Sequence, residues 1–101
     1  MSNPVRGEAA IHVEGREILL RPTFDALVRA EEELGPLLAL VERAGEGQLK
    51  LAEIVALFWL CATPPGAVSR EAMGQAVLSI GLAQAAKPLR GLLSEILRGA
   101  G

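Results

Sequence analysis

Few residues in this chain have the type and spacing for chemistry. His12 is its single histidine and Cys61 its single cysteine. A Cys–His or Ser–His nucleophile needs its base within hydrogen-bond reach, and the sequence places no base near Cys61. Cys61 instead lies in the apolar run 54–62, where a free cysteine acts as a small buried hydrophobe. A metal site built on one histidine would need carboxylates at ligand spacing, and none surround His12. Gly45-Glu46-Gly47-Gln48 lacks the third glycine, the Lys-Ser/Thr end and the preceding strand of a phosphate loop. Glu31-Glu32-Glu33 is the densest charge run. Successive helical residues point about 100° apart, so these carboxylates cannot form one acid–base pair. They read as a solvated helix end or as a docking patch for a basic partner. Glu33 sits near the helix C-terminus, where negative charge is slightly unfavourable, which leans toward a role beyond stability. No catalytic, metal or cofactor-binding residue is assigned, and the protein is expected not to be an enzyme.

The elements that would position these groups are mostly helices. The chain has 101 residues, enough for one domain spanning 1–101. Half of the residues are hydrophobic but only 3% are aromatic, and a Leu/Ala/Ile/Val mass suits packed helices. Ten basic against twelve acidic residues give a net charge of −2, without the basic excess of a nucleic-acid binder. The longest apolar stretch, 54–62, is far short of the roughly 20 residues of a membrane helix. The N-terminus shows no signal-peptide pattern, so a cytoplasmic protein is expected.

Residues 6–22 read as a β-hairpin turning at Glu14-Gly15. That loop pairs Val13 with Arg16, Ile11 with Ile18 and Ala9 with Leu20 on one face. His12 with Glu17 and Glu8 with Arg21 pair on the other. Residues 23–98 read as a bundle of four to five helices. Thr23 caps the first, whose apolar face is read as Phe24, Leu27, Val28 and Leu34, and Gly35-Pro36 stops it. A short second helix carries Leu37, Leu38, Leu40, Val41 and Ala44. The third, 51–62, is apolar on nearly every side, which fits a core helix or an interface. Thr63-Pro64-Pro65-Gly66 reads as a turn. Ser69 caps the fourth helix, whose inner face is Met73, Ala76, Val77 and Ile80, and Gly81 interrupts it. The last helix carries a stripe of Leu82, Ala85, Ala86, Leu89, Leu92, Leu93 and Ile96, with Pro88 expected to kink or restart it. A frayed end is expected at 99–101. The fold class is α+β, mainly α: a hairpin packed on a small helical bundle.

The stretch from Asn3 to Gly35 resembles a known family. Asn3-Pro4-Val5-Arg6-Gly7-Glu8 leads into the Gly15-Arg16 turn. Leu20-Arg21-Pro22-Thr23-Phe24-Asp25-Ala26-Leu27 and Glu31-Glu32-Glu33-Leu34-Gly35 follow. Leu51-Ala52-Glu53-Ile54-Val55 and the Gly81-Leu82 break fit the same pattern. This is similar to the small tail-cluster proteins of gene transfer agents and related prophages, grouped with phage tail tube and tail assembly chaperone proteins. The resemblance implies a non-enzymatic part in building a phage-like tail. As a chaperone, the protein would bind the tape-measure protein through exposed apolar helix faces; a tube subunit would be expected to be rich in β-structure. The expected partner is therefore a protein, the tape-measure or tail tube protein, with self-association as an alternative and neither nucleic acid nor membrane involved. The protein is expected in the cytoplasm, associated with phage-like particles during assembly. Phe58, Trp59, Leu92 and Ile96 are the candidate partner-binding residues, aromatic side chains being typical interface anchors. The alternatives are a permanent tail component and a small DNA-binding regulator, the latter resting on a helix-turn-helix reading of 51–80.

Overall fold

The computed structural model describes residues 9–98. The element order is β1 (Ala9–Val13), β2 (Arg16–Leu20), α1 (Phe24–Leu34), α2 (Leu37–Gly45), α3 (Leu51–Cys61), β3 (Ala62–Thr63), α4 (Arg70–Ile80) and α5 (Leu82–Arg98). The fold is α+β and mainly α, as expected. The Glu8–Arg21 pairing, strand residues 6–8 and the frayed end at 99–101 lie outside the described residues.

The hairpin forms in the expected register: Ala9 opposite Leu20, Ile11 opposite Ile18, His12 opposite Glu17 and Val13 opposite Arg16. Its turn places both central residues at positive φ, Glu14 at 53° and Gly15 at 80°. This matches the right-handed twist of the flanking strands. Ala9, Ile11, Val13, Ile18 and Leu20 are buried, so one face of the hairpin is core. A third strand was not expected. Ala62 and Thr63, read as a helix end and a turn, pair antiparallel with Leu20 and Leu19 and make β2 the central strand. The Arg21 amide extends this pairing by donating to the Cys61 carbonyl at 2.8 Å. The following Thr63–Pro64 peptide bond is cis.

The helix boundaries follow local chemistry. Thr23 Oγ1 accepts from the Ala26 amide at 3.2 Å, and Ser69 Oγ from the Ala72 amide at 3.0 Å. Each satisfies a donor that the first helical turn leaves unpaired. Glu53 does the same for α3 by accepting from the Lys50 amide at 2.9 Å. α4 stops at Gly81, whose φ of 88° and ψ of 152° lie in a region that side chains disfavour. α5 continues through Pro88 from Leu82 to Arg98, so the proline does not split it. The lost hydrogen bond is confined to a single turn.

α3 is the hub. Val55, Ala56, Leu57, Phe58 and Cys61 are all buried, and the helix packs against α1, α4 and β2. α4 lays Met73, Ala76 and Val77 on the same core, and α5 adds Ala85, Leu92 and Leu93. Two expected core faces differ. α1 buries Ala26 and Ala30, while Phe24 and Val28 point outward. The small side chains let α1 lie close to α3, and the larger stripe is left in solvent. Ile80 and Leu82, at the α4–α5 corner, are likewise exposed.

Candidate protein-docking surface

The four residues expected to bind a partner do not form one surface. Phe58 and Leu92 are 0% exposed. Both are core residues and present nothing to a partner of the folded monomer; the expectation is corrected for these two. An all-apolar helix has no sequence signal that separates its core side from an interface side. Trp59 and Ile96 are half-buried and pack against the core.

Trp59 joins three elements. Its Nε1–H donates to the Val68 carbonyl at 2.9 Å, tying α3 to the segment before α4. The Arg70 guanidinium lies 4.6 Å from the centre of its ring. A cation over an aromatic face is attracted by the ring's quadrupole. Arg70 also grips Glu33 at the end of α1 with both terminal nitrogens, Nη2 donating to Oε1 at 3.0 Å and Nη1 donating to Oε2. That hydrogen bond holds the Glu33 carboxyl below its ordinary pKa and raises that of Arg70. The unfavourable charge at the end of α1 thus has a structural use. Glu31 has one too, accepting from the Leu37 amide at 3.1 Å at the start of α2.

Because the Glu33 pKa is depressed in the folded state, the pair stabilises the protein above the carboxylate's unfolded pKa. That contribution fades as pH falls through the folded value. Both side chains are more than a third exposed, which screens the pair. Glu33→Gln is expected to cost under about 1 kcal/mol at pH 7. Urea unfolding of the two proteins should converge as pH drops below 4.5, the carboxylate's ordinary value.

The groups with chemical potential are dispersed. Cys61 is buried, and burial pushes its thiol up to about 12, so it is a protonated thiol at neutral pH. His12 is exposed on β1, opposite Glu17. It lines an open groove of about 600 Å³ beside α4 with Glu14, Glu71, Gln75 and Ser79. Among the described residues, no group of three or more His, Cys, Asp or Glu is placed to hold a metal ion.

Large apolar side chains on the surface are more prominent. Phe24 is 85% exposed, Leu38 70%, Leu78 57%, Leu97 56% and Leu82 54%. All lie on helices.

A family model described as phage tail tube protein, GTA-gp10, matches residues 6–99. The chain belongs to this family. No curated protein and no solved structure matches it. The resemblance carried by Arg6-Gly7-Glu8 through Phe24 is therefore one of membership in a gene-transfer-agent tail family. The surface that this member of the GTA-gp10 family presents is mainly helical. No helix among the described residues is long and apolar enough to cross a membrane.

Proposed function

We propose that this chain is a non-enzymatic assembly chaperone of a phage-like tail, which binds the tape-measure protein in the cytoplasm before tube subunits polymerise around it. The observation that carries this reading is the apolar surface its helices leave unburied, Phe24 and Leu38 foremost. Exposed large apolar groups cost solubility in a free monomer and are suited to a protein contact. The small share of β-structure supports the same reading. The sheet has three strands, one of only two residues, whereas a tube wall calls for extended β-structure.

A permanent place in the tail is the second reading, favoured by the family's description as a tail tube protein. DNA binding has less support. The helix-turn-helix reading requires a short link, but α3 and α4 are separated by residues 62–69, which include β3. Arg70, the one basic residue of α4, is already engaged by Glu33 and Trp59.

Co-expression with the tape-measure protein encoded nearby separates the first two readings. A chaperone is expected to co-purify with it in several copies per client and to be absent from finished particles by mass spectrometry. No complex, together with detection in purified particles, would establish the structural component instead.

A further inference from the structure

We infer that the outward face of α1 docks an amphipathic helical segment of the partner, one whose apolar stripe is flanked by Lys and Arg. This rests on the chaperone reading and names the surface and the partner chemistry. Residues four apart share a helix face, so Phe24 and Val28 form one stripe, opposite the buried Ala26 and Ala30. Phe24 is 85% exposed and Val28 38%. One turn on, Glu31 and Glu32 flank the line of that stripe, with Asp25 along one side.

The charges on this face do not cancel. Asp25 pairs with Arg29 at 3.2 Å. Glu31 uses one oxygen on the Leu37 amide. Glu32 is exposed and has no hydrogen bond or ion pair among the described residues. Three carboxylates against one guanidinium leave the apolar stripe with a negative border. Such a border attracts a basic partner and repels an acidic one, setting encounter rate and register. A second copy of the same face would bring carboxylates against carboxylates. Apolar anchors at i and i+4 with a charged border are the pattern by which helices recognise one another.

The test uses the full chain and overlapping synthetic peptides spanning the tape-measure protein, with binding read by calorimetry and by amide shifts of α1. Peptides with a Lys/Arg-flanked apolar stripe are expected to bind. Phe24→Ala should weaken them by at least about tenfold with an unchanged melting temperature, since the side chain is almost wholly in solvent. The double variant Glu31→Gln with Glu32→Gln keeps an acceptor for the Leu37 amide. It should weaken binding several-fold at low salt and flatten its salt dependence. Equal binding by wild type and Phe24→Ala would overturn this docking face while leaving the chaperone reading intact. Failure of the wild type to bind any peptide or the whole tape-measure protein would overturn both. A wild-type dimer that becomes monomeric in Phe24→Ala would make a second copy the occupant, and would overturn the inference.

Discussion

Phe58→Ala is expected to destabilise the protein by about 3–5 kcal/mol, read as a fall in the urea midpoint with little change in slope. Phe58 is wholly buried on α3, the helix that meets α1, α4 and β2. Truncation removes the transfer free energy of the ring and leaves a cavity that three packed elements cannot all collapse to fill. A domain of this size has roughly 5–15 kcal/mol of stability, so the loss is about a fifth of it at the least. Binding to any client should fall in parallel, and it should recover when the variant is held folded at lower temperature or in stabilising osmolyte. A true interface residue behaves otherwise: Phe24→Ala should lose binding with its fold intact. A Phe58→Ala protein that stays fully stable yet loses its client would show that Phe58 contacts the client after all.

Leu92→Ala is expected to cost about 2–5 kcal/mol. Leu92 is 0% exposed on α5, which packs on β1 and α4. The spread in the expected value reflects how far α5 can settle onto the hairpin once the side chain is shortened. Pro88, one turn earlier, stiffens the backbone there and argues against easy settling. Hydrogen exchange should report the site of the damage, with amides of β1 and α5 losing protection before those of α3. Uniform loss of protection across the domain would instead show that α5 unfolds only with the rest of the core. Together with Phe58→Ala, this variant tests whether two residues that looked like interface anchors act only through stability.

The fold buries Ala26 and Ala30 where larger residues were at hand two positions away. Phe24 is thereby left in solvent, and the core beneath α1 is thinner for it. The Trp59–Arg70–Glu33 cluster offsets some of that loss by tying α1, α3 and α4 together at one end.

What the sequence determined by itself were the features whose partners lie within a few residues. The Glu14-Gly15 loop set the hairpin register, because a two-residue turn leaves one pairing open to the strands. Thr23 and Ser69 marked helix starts, and Gly35 and Gly81 helix ends, because each acts on amides or dihedrals in its own turn. The family was legible for a similar reason, its pattern being concentrated in the contiguous hairpin and first helix. Only the tertiary structure decided which apolar stripe of α1 faces inward, since 24/28 and 26/30 compete and close approach to α3 selects the smaller pair. β3 could not be read, as two residues have no periodicity and become a strand only because β2 has a free edge. Glu33 and Arg70 lie 37 positions apart, and Trp59 finds the Val68 carbonyl nine residues on. Local hydrogen bonds and turns are encoded where they act; the choice of buried face is a competition among packings that exists only once the other elements are in place.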